Sequence, residues 1–128
     1  MGNGTILIAE DNSVISHLNQ RILERVGYEI VTVRNGQEAC EIIDSRHIDL
    51  AVLDLEMPVM DGFTALKYIR NASDNRSMPV IILTASYQPQ DKVDSIELGA
   101  NMYITKPVRT NELRLAVEKL LNTRALSG

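Results

Sequence analysis

The sequence predicts one α/β domain in which five parallel strands form an open, doubly wound sheet, a (βα)5 arrangement. Short apolar runs alternate with segments of helical periodicity along the chain, and most of these runs are continuously apolar. Continuous apolar strands between helices are typical of a parallel sheet that is covered on both faces. Five strand-helix units are too few for an eight-stranded barrel, so we expect an open sheet with right-handed crossovers.

Five short apolar runs are the predicted strands. They span residues 5–9, 28–33, 49–54, 80–85 and 101–105. The second run alternates polar and apolar residues and is rich in β-branched side chains, which indicates a strand nearer an edge of the sheet. Each run is followed by a segment with the periodicity of a helix.

The first predicted helix carries apolar residues about four positions apart, which would place them on one face. That face comprises Val14, Ile15, Leu18, Ile22, Leu23 and Val26. Gly27 follows, and glycine is favoured where a helix ends in the left-handed conformation. We therefore expect this helix to end before Gly27 and to pack its apolar face on the sheet.

Local signals indicate where the other helices begin and end. Asn35 with Glu38 three residues later forms a capping-box pattern, so a helix should begin there and continue to about residue 46. Asp61 is expected to cap the third helix with its side chain. The fourth helix, which ends near Gly99, has the weakest apolar pattern of the five. The fifth is expected to begin at Thr110, which would cap it.

Composition limits the function classes. A chain of 128 residues suffices for one domain with a full core and is short for two. The formal net charge of -4 argues against direct nucleic-acid binding, and no apolar run approaches the roughly 20 residues of a membrane helix. The single cysteine, Cys40, excludes an intrachain disulfide, fits a reducing cytoplasm and is expected in the core. We expect a flexible leader over 1–4, a folded domain over 5–122, and a flexible tail or linker start over 123–128.

Polar residues follow four of the five predicted strands, at the edge where parallel strands end. Glu10 and Asp11 come after the first strand, Asp54 after the third, Thr84 after the fourth and Lys106 after the fifth. In doubly wound sheets the functional crevice lies outside these carboxyl ends. Carboxylates held within about 4–6 Å of one another repel unless a cation joins them. Because Mg²⁺ prefers oxygen ligands and often binds one or two carboxylates plus a phosphate, the cluster predicts a Mg²⁺ site that handles a phosphoryl group.

The same segments resemble a known family. The chain has "ED" after the first strand, "DLEMPVMDG" at the end of the third, "TA" after the fourth and "KP" after the fifth. These four pieces, in this order and on these elements, resemble the receiver domain of two-component response regulators over about residues 5–121. For this sheet we predict the flavodoxin-like strand order 2-1-3-4-5.

The resemblance implies how the acidic residues divide their roles. Asp54 would be the phosphoacceptor, phosphorylated in a Mg²⁺-dependent reaction. Glu10, Asp11 and Asp54 would hold the metal, together with the backbone carbonyl of Glu56. In the family, the side chain at the position of Glu56 tunes how long the phosphoryl group lasts.

The resemblance also implies a switch and partners. Thr84 would be the switch hydroxyl, Tyr103 the switch aromatic and Lys106 the cation that binds the phosphoryl group, and the Lys106–Pro107 peptide bond would be cis. Asp54, Thr84 and Lys106 would thus be the catalytic residues. The donor would be a histidine kinase or a histidine phosphotransfer protein. A partner or a second copy of the chain is expected to dock on the face made by the fourth helix, fifth strand and fifth helix, with no membrane insertion.

Two other classes are compatible with parts of this pattern. A phosphatase of the haloacid-dehalogenase type also uses an aspartate nucleophile, Mg²⁺, a threonine and a lysine, but its nucleophile follows the first strand, where this chain has Glu10. A degenerate receiver that serves only as an interaction module would lack part of the acceptor site, and this chain has all of it. The sequence leaves open whether the chain is a stand-alone regulator or a piece of a hybrid kinase or longer regulator.

Overall fold

A computed structural model of the protein describes residues 3–72 and 77–127 and confirms the predicted five-stranded α/β fold. The elements are β1 (Thr5–Ala9), α1 (Ser13–Glu24), β2 (Glu29–Val33), α2 (Gly36–Ser45), β3 (Leu50–Leu53), α3 (Gly62–Asn71), β4 (Val80–Thr84), α4 (Pro89–Glu97), β5 (Met102–Thr105) and α5 (Thr110–Ser127). The strands are parallel and have the predicted order β2-β1-β3-β4-β5. Within these residues no helix is both long and apolar enough to cross a membrane.

The predicted domain limits are only partly covered by the described residues. Residues 1 and 2 of the expected leader and residue 128 of the expected tail lie outside them. The backbone of α5 continues to Ser127, past the predicted limit at 122. The extent of the domain therefore stays a prediction.

Two clusters of buried apolar side chains, one on each face of the sheet, form the core. Successive strand residues point to opposite faces, so β1 contributes Leu7 to one cluster and Ile6 and Ile8 to the other. The Leu7 cluster packs against α2 and α3 and includes Cys40, as predicted, whereas the other packs against α1 and α5. Because both faces are covered, the central strands are continuously apolar. The edge strand β2 is more exposed than the central strands, with Glu29 and Thr32 open to solvent.

The predicted apolar face of α1 is wrong for two of its residues. Val14 is 75% exposed and Leu18 is 58% exposed, while Ser16 and Asn19 are buried beside Leu23. A helix has about 3.6 residues per turn, so a row of residues spaced four apart winds gradually around it. The buried residues follow spacings of three and four instead. Two large apolar side chains of α1 consequently face outward near its N-terminus.

The helix caps predicted at Asn35 and Asp61 are present, whereas the side chain of Thr110, the cap predicted for α5, lies outside the described part of the structure. Asn35 Oδ1 accepts a hydrogen bond from the Glu38 N–H at 2.9 Å, and the Glu38 side chain accepts one from the Arg34 N–H at 2.8 Å. The return bond of the capping box thus reaches the residue before Asn35. Asp61 Oδ1 accepts a hydrogen bond from the Thr64 N–H at 2.8 Å, which fixes the start of α3.

Helix α4 is the least embedded of the helices whose burial is described. Ser95 is its one buried residue, and no side chain caps its N-terminus. Its C-terminal end is held from α3, because the Arg70 guanidinium donates hydrogen bonds to the Gly99 carbonyl at 2.8 Å and to Asn101 Oδ1 at 2.9 Å. A Cβ atom on Gly99 would lie 2.8 Å from Arg70 Nε. The helix is therefore fastened more firmly at its end than at its beginning.

Candidate functional site

Three residues that follow strands are brought to one edge of the sheet by backbone hydrogen bonds. The Glu10 N–H donates to the Val33 carbonyl at 3.1 Å, the Asp54 N–H to the Ala9 carbonyl at 3.1 Å, and the Lys106 N–H to the Thr84 carbonyl at 2.8 Å. Each of these bonds extends the hydrogen-bond ladder between two parallel strands by one residue past the strand end. The side chains therefore converge because their backbones are still part of the sheet.

The Lys106 ammonium lies between two buried carboxylates. Its Nζ is 2.8 Å from Asp54 Oδ2 and also pairs with Glu10 Oε1. Glu10 is 4% exposed and Asp54 is 6% exposed. Burial alone would lower the pKa of Lys106, but its hydrogen bonds to Asp54 and Glu10 outweigh burial and raise it. Lys106 is therefore fully charged at neutral pH and holds both acids.

Glu10 combines a structural bond with the ion pair. Its Oε2 accepts a hydrogen bond from the Asn12 N–H at 3.1 Å. Burial raises the pKa of Glu10, and the bonds from Lys106 and from Asn12 oppose this only in part. Asn12 also caps α1, because its Oδ1 accepts from the N–H groups of Val14 and Ile15 at 3.0 and 3.1 Å. Sequence reasoning missed Asn12, although an Asn directly before an apolar-periodic segment is a helix-start signal.

The predicted metal-binding acids do meet. Glu10, Asp11 and Asp54 each offer one carboxylate oxygen, and these oxygens all lie within 4.8 Å of one another. Asp11 is exposed, so the cluster opens to solvent on its side. A carboxylate oxygen has more than one lone pair, so the hydrogen bonds to Lys106 and Asn12 leave coordination sites on the same side chains. Three clustered oxygen donors with access to water fit Mg²⁺, which keeps several waters.

The loop after β3 contacts both the side chain and the backbone of Asp54. The Glu56 N–H donates to Asp54 Oδ1 at 3.1 Å, while the Glu56 side chain is exposed. Gly62 packs directly under the strand end, where a Cβ atom would lie 2.2 Å from the Asp54 carbonyl oxygen. Val59 has a φ of 68°, a conformation that β-branched residues rarely adopt. The loop is thus tightly fixed around the acid that it presents.

Thr84 and Tyr103 both form hydrogen bonds with the backbone of Ser86. Thr84 is fully buried, and its Oγ1 accepts a long hydrogen bond from the Ser86 N–H at 3.4 Å. The Tyr103 hydroxyl donates to the Ser86 carbonyl, also at 3.4 Å, and burial raises the pKa of Tyr103. Ser86 Oγ in turn donates to Asp91 Oδ2 in α4 at 2.6 Å. Ser86 therefore connects both predicted switch residues to α4, a role that sequence reasoning missed.

The β5–α5 connection has the predicted cis peptide bond between Lys106 and Pro107. The hydroxyl of Tyr87, an exposed residue that sequence reasoning also missed, donates to the Lys106 carbonyl at 3.1 Å. No local sequence signal marks Tyr87, because its partner is 19 residues away in the chain. The loop after β4 thus supports the residue that carries the site's cation.

The fold and this site together define the class of the protein. The profile of the response regulator receiver domain matches residues 6–118. The chain therefore belongs to the family of response regulator receiver domains, and a phosphoacceptor role follows from that family. This assignment replaces the haloacid-dehalogenase alternative.

Individual relatives agree with the family. A probable transcriptional regulator ycf27 from Cyanidium caldarium is 39% identical over 116 residues, which cover 91% of this chain and 45% of that protein. The crystal structure of a CheY-like receiver domain protein from Methanospirillum hungatei has a TM-score of 0.92 at 28% identity and covers 98% of both chains. The receiver domain of the sensor histidine kinase PA1611 from Pseudomonas aeruginosa, solved with a magnesium ion in its active site cleft, has a TM-score of 0.88 at 30% identity and covers 95% of this chain and 99% of that one. The chain spans about half the length of the curated regulators that it matches.

The ion pairs of Lys106 should stabilise the fold in a pH-dependent way. We expect Lys106→Met to lower the free energy of unfolding at pH 7 by about 2 kcal/mol or more, because Glu10 and Asp54 stay buried without their cation. The folded-state pKa of Glu10, which burial already raises, should rise further. A group whose pKa is higher in the folded state contributes stability below its unfolded pKa and loses it as pH rises. The difference in unfolding free energy between wild type and the variant should therefore become smaller as the pH falls from 7 to about 4, near the unfolded carboxyl pKa.

Urea unfolding of both proteins at the two pH values measures this difference. Lys67→Met, which changes an exposed lysine on α3, is the matched control and should stay within about 0.5 kcal/mol of wild type. A deficit of the same size at both pH values would show that Lys106 does not act through the two carboxylates.

Proposed function

We propose that this chain accepts a phosphoryl group on Asp54 from the phosphohistidine of a histidine kinase or of a histidine phosphotransfer protein. The observation that carries the proposal is the way in which this one buried carboxylate is held. Lys106 Nζ binds Asp54 Oδ2 at 2.8 Å, and the Glu56 N–H binds Asp54 Oδ1 at 3.1 Å. A carboxylate fixed through both oxygens at the mouth of the sheet is oriented before the donor arrives, which lowers the entropic part of the barrier.

The reaction exchanges one bond at phosphorus for another. A carboxylate oxygen of Asp54 attacks phosphorus as the bond from phosphorus to the donor's imidazole nitrogen breaks, and the electron pair leaves with that nitrogen. The Lys106 ammonium can form hydrogen bonds to the phosphoryl oxygens as negative charge moves to them from the carboxylate, so that the site needs little reorganisation during the reaction. Water later hydrolyses the aspartyl phosphate. The chain would thus catalyse its own phosphorylation and dephosphorylation without turning over an external substrate.

Asp54→Asn should abolish phosphorylation and leave the fold intact, since it replaces the nucleophile with an amide of the same shape. Its effect on stability should be small, because the loss of the ion pair with Lys106 is offset by relief of repulsion with Glu10 and Asp11. Incubation with acetyl phosphate and Mg²⁺, followed by intact-protein mass measurement, is the test. Asp61→Asn, which changes the acid that caps α3, is the control and should be labelled like wild type. Full labelling of the Asp54 variant would rule out this acceptor.

We propose Mg²⁺ as the cofactor, held by Glu10, Asp11 and Asp54, with the backbone carbonyl of Glu56 as a further ligand. The support is the group of three carboxylate oxygens within 4.8 Å of one another. When bound, the ion supplies positive charge opposite the oxygens of the transferring phosphoryl group. Among these residues Asp11 is exposed and has the fewest competing bonds, so it should contribute most to binding without phosphate.

Mg²⁺ should therefore bind weakly to wild type, because the ion keeps several waters at such a site. We expect binding to disappear in Asp11→Ala. In Glu10→Ala it should only fall, because the Glu10 carboxylate of wild type already bonds to Lys106 and to the Asn12 N–H. Titration followed by NMR chemical shifts measures both affinities, and Glu41→Ala, an exposed acid on α2, serves as the control. Equal affinity in wild type and in the variant that lacks both Glu10 and Asp11 would refute this site.

We further propose that phosphorylation is transmitted through Thr84, Ser86 and Tyr103 to the face made by α4, β5 and α5. Movement of the Thr84 hydroxyl toward the phosphoryl group would break its long bond to the Ser86 N–H, and Tyr103 holds the carbonyl of the same residue. Ser86 Oγ is bonded to Asp91 at the start of α4. Because Arg70 fastens the other end of this helix, its N-terminal end is the one free to move.

The face made by α4, β5 and α5 would bind a partner or a second copy of the chain. Val93 and Ile96 of α4 and Leu115 of α5 are exposed apolar side chains on these elements. Unphosphorylated protein would sample the active arrangement as a minor population, which the new hydrogen bonds to the phosphoryl group enrich.

Thr84→Ala should still accept a phosphoryl group on Asp54 but should transmit it poorly to α4. Chemical-shift mapping with and without beryllofluoride, a phosphoryl mimic, should show smaller shifts at Tyr103 and along α4 in the variant than in wild type. Thr32→Ala, an exposed threonine on β2, is the control and should respond like wild type. If Thr84→Ala gives the wild-type shifts at these positions, Thr84 does not couple the two sites.

We also propose a cytoplasmic setting and assign this chemistry to residues 5–122. The net charge of -4 and the acidic site support a domain that recognises a phosphodonor protein and makes no direct contact with nucleic acid. Because the match covers about half of the curated relatives, we propose that any output function belongs to residues outside the matched region.

A further inference from the structure

A cavity of about 380 Å³ lies between α1 and the β5–α5 connection, beside the acidic site. Its apolar lining comprises Ile15, Leu18, Leu83, Ala85, Pro107 and Val108. Asn19 also lines it, and the stem of Lys106 contributes part of the wall. The cavity is more than twice the roughly 150 Å³ that suffices to bind benzene in an apolar protein interior. It is therefore large enough for a small organic molecule.

Asn19 gives this cavity a chemical requirement. The side chain is 2% exposed, and within the described residues its Nδ2 finds no hydrogen-bond partner. Buried polar atoms in folded proteins are almost always paired, so a buried amide donor without a partner calls for an explanation. Asn19 occupies a position on the buried face of α1 that an apolar residue would fill at no such disadvantage. The helix instead buries an unpaired amide donor in a residue that lines an apolar cavity.

We propose that this cavity binds a small neutral molecule with an apolar body and one hydrogen-bond acceptor, and that Asn19 Nδ2 donates to that acceptor. Because Nδ2 is buried, the Asn19 amide would turn toward the cavity when the ligand binds. The apolar lining selects the body of the molecule, and the donor selects a carbonyl, ester or amide oxygen over a further apolar group.

The charges beside the cavity select against an anion. Lys106 is the cation in its wall, and both Glu10 and Asp54 already bind that ammonium. In the absence of Mg²⁺, Glu10, Asp11 and Asp54 outnumber the one lysine and leave this edge of the sheet negative, so an anionic ligand would be repelled. A cation would gain nothing from Asn19 Nδ2, which is a donor. Of the three kinds of ligand, a neutral molecule with a hydrogen-bond acceptor therefore suits the cavity best.

This inference rests on the cavity and on Asn19, and not on the proposed phosphoacceptor chemistry. Asp54 can be replaced without removing either. Binding can therefore be tested in unphosphorylated protein, and its outcome is independent of whether Asp54 accepts a phosphoryl group.

Acetophenone and ethylbenzene form a matched pair of probes, because they share the ring and differ mainly by the carbonyl oxygen. Each is titrated into isotope-labelled protein, and dissociation constants are taken from the NMR shifts of residues around the cavity. We compare wild type with Asn19→Leu, which removes the donor at similar volume, and with the matched control Asn71→Leu at the exposed end of α3. The preference for acetophenone should be about fivefold larger in wild type and in the control than in Asn19→Leu, the effect of one net hydrogen bond.

A second variant tests the cavity itself without disturbing the core. Leu18 is exposed, so Leu18→Trp should fold normally while its larger side chain narrows the cavity and weakens binding of both probes severalfold. The proposal is overturned if neither probe binds wild type up to its solubility limit, or if the shifts lie away from Ile15, Val108 and their neighbours. It is also overturned if Asn19→Leu keeps the wild-type preference, which would leave Asn19 without a role in recognition.

Discussion

The ammonium of Lys106 shared by Glu10 and Asp54 is the interaction on which the geometry of the site depends. Two carboxylates at the ends of neighbouring parallel strands would repel each other in a buried setting, and the lysine arrives from a third strand to hold both. The three backbones that carry these residues are fixed by ladder hydrogen bonds that continue past the strands. The sheet thus determines where the charged groups meet, and the lysine ammonium offsets the repulsion between the two carboxylates.

Much of the surrounding structure holds the Asp54 carboxylate in place. Gly62 lets the start of α3 approach the end of β3, and the Glu56 N–H orients the Asp54 carboxylate. Val59 keeps an unfavourable backbone conformation in the same loop, as residues near functional sites often do. A well-packed apolar cluster at this edge would be at least as stable as the buried charges. The charged arrangement is therefore best explained by the phosphoacceptor chemistry proposed for Asp54.

The neighbouring elements differ in how firmly they are attached. Helix α4 buries little and is fastened at its C-terminal end by Arg70, while its beginning depends on Ser86 and its bonds to the predicted switch residues. Weakly packed segments need the least free energy to rearrange, so a small change at Thr84 can have a large effect there. On the other side of the site, α1 exposes Val14 and Leu18 and buries Asn19 against a cavity. The two sides of the acidic edge are thus suited to different kinds of interaction.

The sequence by itself determined the five-stranded parallel fold, the caps at Asn35 and Asp61, and the convergence of Glu10, Asp11, Asp54 and Lys106 on one edge. These features follow from local periodicity and from the rule that parallel strands end on the same side, which need no knowledge of distant contacts. Tertiary structure alone decided that Val14 and Leu18 face outward and that Asn19 is buried, because the orientation of a helix depends on the sheet it packs against. It also decided that Ser86, Tyr87 and Asn12 support the site, since their partners are set by the approach of separate loops. Periodicity specifies which residues share a face, and packing specifies what that face meets.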